Sequence, residues 1–136
     1  ITKKNNILNQ IFKNINMKKI IFDVDNTICF TTNGDYQNSI PNLELIDKMR
    51  DYKKKGFEII LQTARNMRTY EGDIGKINKF TLPILISWLE KHNVVYDEIH
   101  VGKPWCGYEG FYVDDKAIRP DEFIKYSFDE ILKIIK

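Results

Sequence analysis

Four short apolar runs, separated by stretches of helical periodicity, set the plan of the chain. The first, Ile20-Ile21-Phe22, follows Lys18-Lys19 and breaks off at two carboxylates one residue apart, Asp23 and Asp25. The others are Phe57–Leu61, Asp97–Val101 and Phe111-Tyr112-Val113. Runs this short, rich in Ile, Val and aromatic residues, read as buried strands. Between the first two, Leu43, Leu45, Ile46, Met49 and Tyr52 recur at helical spacing, and Gly56 stops that helix. A second helix is predicted over Leu82–His92, with Thr81 as its cap and Pro83 tolerated in its first turn. A third opens with the capping box Ser127 and Glu130 and runs to about Ile135. Strands alternating with helices predict an α/β fold: a Rossmann-like parallel sheet flanked by helices and joined by right-handed crossovers.

Two stretches connect these elements. Thr31–Pro41 is turn-rich, and Asn66–Lys76 is a polar loop holding Arg68, Tyr70, Glu71 and Asp73. Residues 1–16 stand apart from the domain expected over 17–136. Ile7, Leu8, Ile11, Phe12 and Ile15 have helical spacing among Asn and Lys, and Met17 looks like a natural start. A linker from a larger polypeptide, an added helix and translated upstream sequence are all open, each peripheral to the chemistry.

Composition narrows the class without naming it. A length of 136 residues suits one domain with a real core, and 43% apolar with 29% charged residues is ordinary for a soluble protein. A net charge of +2 argues for neither nucleic acid nor an anionic membrane. No apolar run approaches the ~18 residues of a membrane span, and the amino terminus lacks the apolar core of a secretion signal. Cys29 and Cys106 form no ligand cluster, which suggests a reducing compartment. The plain expectation is a cytoplasmic protein.

Each expected strand is followed by a different polar group. Asp23 and Asp25 follow the first, Thr63 the second, Lys103 the third, and Asp114-Asp115 the fourth. In open α/β sheets ligands collect at the carboxyl ends of strands. Two acidic pairs converging there would repel by several kcal/mol at low effective dielectric. A hard divalent cation relieves that repulsion, and an all-oxygen ligand set suits Mg²⁺. Lys103 and Thr63 suit an anionic, multi-oxygen substrate. Together they describe phosphoryl transfer through a carboxylate nucleophile. Each residue also has a bland reading, Asp and Thr as turn or helix caps and Lys103 as a surface lysine.

Across residues 18 to about 126 the pattern resembles the haloacid dehalogenase (HAD) superfamily of phosphatases. Asp23-Val24-Asp25-Asn26-Thr27 is similar to its DxDxT motif. Thr63, Lys103 and Asp114-Asp115 are similar to its second, third and fourth motifs in order. The resemblance implies that Asp23 attacks phosphorus to form an aspartyl-phosphate. Asp25 then protonates the leaving alcohol and later deprotonates the hydrolytic water. Thr63 would bond a phosphoryl oxygen, and Lys103 would offset charge. Mg²⁺ would be held by Asp23, the Asp25 main-chain carbonyl and Asp114, with Asp115 either a ligand through water or an orienter of Lys103. Ile28–Pro41 and Asn66–Phe80 are too short for a cap domain. A capless HAD-like core is therefore implied, its crevice shielded by loops or by a neighbouring subunit, so a homo-oligomer is open. The span from Lys103 to the fourth strand is shorter than many relatives allow.

Residues 63–72 and 101–121 most resemble the small HAD phosphatases of capsular polysaccharide biosynthesis clusters, the EcbF/BcbF-like group. That implies a small phosphorylated metabolite as substrate. Arg65, Arg68 and Asn26 are the candidate substrate contacts, against the alternative that the arginines pair with Glu71, Asp73 or the acidic cluster. Trp105 is either a pocket wall or core packing, and Tyr70 and Arg119 are weaker candidates. His92 is expected at a helix end and His100 within a strand, both structural. The rivals are a phosphatase for a general sugar phosphate or nucleotide, and a binding module of a larger polypeptide.

Overall fold

A computed structural model describes residues 2–16 and 18–136. Helix α1 (Thr2–Asn16) leads into β1 (Lys19–Asp23). A two-residue antiparallel ladder, β2 (Cys29–Phe30) with β3 (Ile40–Pro41), holds a 3₁₀ turn at Tyr36–Asn38. Then follow α2 (Leu43–Lys54), β4 (Glu58–Gln62), the helical turn α3 (Ile74–Lys76), α4 (Leu82–Lys91), β5 (Glu98–His100), α5 (Pro120–Lys125) and α6 (Phe128–Ile134). The main sheet is parallel, in the order β1-β4-β5, with Asp23 opposite Gln62 and Gln62 opposite His100. The fold is α/β, a small open parallel sheet flanked by helices.

Strand alternation sorts the side chains between the two faces of this sheet. Phe22, Ile59 and Leu61 belong to one core with Leu45, Ile46, Met49 and Tyr52 of α2, Leu85, Trp88 and Leu89 of α4, Phe123 of α5 and Ile131 of α6. Aromatic edges tie it together: Phe22 meets Phe123 at 5.0 Å and Tyr52 meets Phe57 at 4.9 Å between ring centroids. Each such buried side chain contributes about 1.5–3 kcal/mol. The other face is treated differently. Ile21 remains 57% exposed, and Ile60 is buried but stands outside that core. Both line a shallow depression of about 430 Å³ with Gln62, His100 and Gly102.

Local signals fix the helix ends. The Asn42 side chain accepts the Leu45 N–H, and Gly56, at φ 93°, turns the chain out of α2. Ser127 and Glu130 form the expected reciprocal box at α6. Thr81 does not cap α4. The chain is already helical there, in a π-turn over Ile77–Thr81, and the buried Thr81 hydroxyl donates instead to Asn66 Oδ1 at 2.7 Å. The expected fourth strand does not form. Phe111, Tyr112 and Val113 are 79%, 51% and 89% exposed and pair with no described strand. Three consecutive apolar residues make a strand only where a neighbour supplies the hydrogen bonds, and here no described strand does.

Residues 2–16 are helical as the spacing predicts, with Ile7, Leu8, Ile11 and Phe12 between 49% and 68% exposed; the expected position Ile15 has no described side chain. Among the described residues no helix is long and apolar enough to cross a membrane.

Candidate functional site

The site begins where β1 ends. Beyond Asp23 the Val24 carbonyl accepts the N–H groups of Ile28 at 2.9 Å, Thr27 at 3.2 Å and Cys29 at 3.3 Å. Asn26 adopts φ 61°, the left-handed conformation that Asn tolerates. This tight turn buries Val24, Ile28 and Cys29 completely. Asp23 and Asp25, alternate with Val24, are left at the rim of a crevice of about 580 Å³. The end of β4 supplies the opposite wall. Thr63 N–H bonds the His100 carbonyl at 3.0 Å, and Lys103 N–H bonds the Thr63 carbonyl at 3.1 Å. These two bonds stitch the loop after β5 to the end of β4 and carry Lys103 to the first strand.

Two ion pairs result, one on each carboxylate. Lys103 Nζ lies 3.3 Å from Asp23 Oδ1, with the Asp23 side chain 37% exposed. Burial raises the Asp23 carboxyl above its ordinary value, and Lys103 offsets part of that rise. Arg65 grips Asp25 with two bonds, Nη2 to Oδ1 at 2.9 Å and Nε to Oδ2 at 3.2 Å. The Thr31 hydroxyl donates to Asp25 Oδ1 at 3.2 Å. The Arg65 side chain is only 1% exposed, its guanidinium lies 4.1 Å from the Tyr36 ring centroid, and its buried Nη1 has no hydrogen-bond partner. Burial first, then the Asp25 charge, pushes the Cys29 thiol up to about 11, which keeps it protonated and unreactive. The same two causes raise the Tyr36 phenol.

The structure brings together some of the residues singled out from sequence. Asp23, Asp25, Asn26, Arg65, Arg68 and Lys103 all line the crevice. Arg65 takes the alternative role, pairing with the acidic cluster. Arg68 is exposed and donates to the Tyr108 hydroxyl at 2.8 Å. Thr63 lies beneath the lining, 1% exposed, where its hydroxyl accepts the Arg65 N–H at 2.9 Å. Trp105 forms part of the wall, edge-on to Tyr108. Tyr70 stacks on Phe80 instead, the Arg119 N–H is taken by Glu122, and the His92 ring packs on Trp88.

Asp114 and Asp115 do not join the crevice. Both are exposed, and Asp114 accepts the Lys116 N–H at 2.8 Å in a local turn. The reason is the missing strand, which was to carry them there. The implied Mg²⁺ can be tested against the donors present. Asp23 and Asp25 are each already paired with a cation, and among the described residues no three His, Cys, Asp or Glu side chains gather as a metal site. A hard cation needs several oxygens arranged around it. The donors of one chain, placed this way, do not fit the ion.

Four further residues line the crevice that were not candidates for it from sequence: Thr31, Tyr36, Tyr108 and Tyr112. Tyr112 lies with its ring centroid 4.3 Å from Lys103 Nζ. Thr31, Tyr36 and Tyr108 come from segments without periodicity, while Tyr112 belongs to the run expected as a strand and reaches the crevice because that strand does not form.

No protein-family model matches this chain, and no curated protein does. A solved crystal structure of an MCSG target from Vibrio cholerae is similar to it, with 55% sequence identity and a TM-score of 0.85, covering 88% of this chain and 97% of that one. At that identity, over nearly the whole of both chains, this protein belongs to the same family as the Vibrio cholerae protein.

Proposed function

We propose that the crevice binds a phosphate ester and that the protein is a phosphomonoesterase of the HAD type, with Asp23 as nucleophile. One observation carries this reading: Lys103 Nζ sits 3.3 Å from a part-exposed carboxylate at the carboxyl end of the parallel strand β1. A carboxylate there can attack phosphorus from the crevice. The ammonium beside it neutralises both the nucleophile and the oxygens of the incoming phosphoryl group. Arg68, exposed in the crevice lining, meets a second anionic group of the substrate if it exchanges its bond to the Tyr108 hydroxyl for that group.

Asp25 is the acid–base group of this scheme. Both its oxygens accept from Arg65, and one also accepts from Thr31, so it must exchange one of these partners before it can hand a proton to a leaving alcohol. Thr63 takes a structural part: its buried hydroxyl accepts the Arg65 N–H beneath the crevice and so helps to seat the guanidinium on Asp25. The resemblance brings Mg²⁺ with it, but the donors of the single chain do not fit that ion. The preferred substrate is a small phosphorylated intermediate of capsular polysaccharide biosynthesis, and the site of action the cytoplasm. Both follow from the sequence resemblance alone.

Release of inorganic phosphate from a panel of phosphate esters, with and without added Mg²⁺, tests the reading. Hydrolysis lost in Asp23→Asn is the expected result; unchanged turnover in that variant removes the nucleophile. A preference for nucleotides sinks the capsule assignment. The pH profile adds a check. Asp23 must be ionised to attack, and burial raises its carboxyl above the ordinary 3.8. Rate should therefore fall with acid at a pH above that value. Lys103→Met should move the fall further up in the normalised profile of whatever activity is left, because it removes the group that pulls the carboxyl back down.

A further inference from the structure

The main sheet has two edges, β1 and β5, and neither pairs with a further described strand. β1 pairs along Lys19–Asp23 with β4, and its other side meets no described strand. The same chain holds an apolar segment outside any helix or strand, Phe111-Tyr112-Val113, with Phe111 and Val113 79% and 89% exposed. An open edge and an unpaired apolar segment are the two halves of a strand addition.

The chain cannot readily supply this strand to itself. Lys103 stands at the carboxyl end of the sheet, beside Asp23, and seven residues, 104–110, separate it from Phe111. A parallel strand on the far side of β1 would require those seven to return to the amino end of the sheet. They would also have to pass β4 and β1 on the way. Parallel crossovers take about a dozen residues or more. Part of the connection is also spent on the turn at Gly107–Glu109, where Gly107 has φ 79°.

A second copy has no such limit, and the residue order fits it. Aligning Asp114 with Asp23 in a parallel register sets Val113 beside Phe22, Tyr112 beside Ile21 and Phe111 beside Ile20. It also sets Glu109 beside the exposed Lys18, an opposite-charge pair at the start of the strand. Phe111 and Val113 then fall on the face of β1 that carries the core, while Asp114 falls on the face of Asp23.

We propose that residues Phe111–Asp114 of a second copy of this chain add in parallel to the free edge of β1, reciprocally, so that each crevice receives Asp114 from its neighbour. The exchange gives up two contacts of Tyr112 within its own chain, its ring with Lys103 and its hydroxyl donated to the Pro104 carbonyl, and covers two exposed apolar side chains in each copy. It places a third carboxylate at the crevice whose own chain offers too few donors for a hard cation. What Asp114 does there rests on the phosphoryl-transfer reading; the pairing itself does not.

Cysteines at the paired positions test the pairing. In a Cys106→Ser background, chains carrying Ile21→Cys are mixed with chains carrying Tyr112→Cys, and a mild oxidant is added. A disulfide-linked dimer in the mixture, absent from either variant alone, is the expected result. A linked monomer of the double variant Ile21→Cys/Tyr112→Cys with no linked dimer overturns the proposal, and so does the absence of any link. Co-expression of Asp23→Asn with Asp114→Asn chains tests the function. Each variant alone is inactive, and random pairing leaves one intact site in half of the dimers, so about a quarter of wild-type hydrolysis returns. No recovery, with an active wild type and a linked dimer, overturns the delivery of Asp114. An inactive wild type overturns the phosphatase reading and leaves the cross-link to decide the pairing.

Discussion

Ile59-Ile60-Leu61 and Phe111-Tyr112-Val113 are nearly equivalent as sequence: three apolar residues with polar chemistry just beyond them. They end up in opposite environments. Ile59 and Leu61 are completely buried in β4, which has a parallel partner on each side. The Asp97 carboxylate accepts the Ile59 N–H at 2.8 Å, pinning the start of the strand. The residues after β4, Thr63 and Arg65, are held in place at the crevice. Phe111 and Val113 are exposed, and Asp114 after them is not at the site. A run of apolar residues thus states a capacity to be a strand. Neighbouring backbone realises it, and the polar residues that follow are delivered only if the strand forms.

That contrast can be broken at several points. The largest effect is expected from Leu61→Ala, which empties a fully buried position and should cost about 2–5 kcal/mol in denaturant unfolding. A loss below 1 kcal/mol would mean that β4 is not the strand around which the core is built. Arg65→Met should follow at about 3 kcal/mol, because it leaves the Asp25 carboxylate without the buried guanidinium that engages both its oxygens. Restored stability in Arg65→Met/Asp25→Asn would identify the unpaired charge as the cause.

Asp97→Asn should cost less, under about 1 kcal/mol, since Asp97 and Lys53 are both partly exposed and their pair is screened. Its pH dependence has a definite sign. Burial works to raise the Asp97 carboxyl, but the Ile59 N–H and Lys53 outweigh it and hold the carboxyl below the ordinary 3.8. A depressed folded value contributes stability above pH 3.8 that is lost as pH falls through the folded value. The gap between wild type and Asp97→Asn should therefore close in acid, as followed by thermal unfolding across pH. The smallest effect is expected from Phe111→Ala. In dilute protein it should change stability by no more than about 0.5 kcal/mol, as for an exposed side chain. Its effect should grow with protein concentration, because association with a second copy is what covers the ring.

Much of the site was legible in the chain. The paired acids at Asp23 and Asp25 could be seen because an apolar strand stops there abruptly, and strand ends in parallel sheets face one side. Lys103 was legible for the same reason. The partner of each acid was not. That Arg65 grips Asp25, while Lys103 takes Asp23, depends on turns at Val24–Cys29 and Thr63–Arg65 whose geometry no spacing rule specifies. The hydroxyls of Thr31 and Tyr108 and the Tyr36 ring arrive from segments with no periodicity at all.

Sequence alone determined the alternation of strands and helices, the ends of α2 and α6, and the convergence of Asp23, Asp25 and Lys103, since these rest on local periodicity, capping and chain direction. Tertiary structure decided that Thr81 joins a continuous helix instead of capping one. It also decided that Thr63 is buried under the crevice and that Phe111–Val113 finds no neighbour in its own sheet. The physical reason is the same in each case: a side chain or strand segment declares what it can bond, and only the packed chain sets which partner lies within reach.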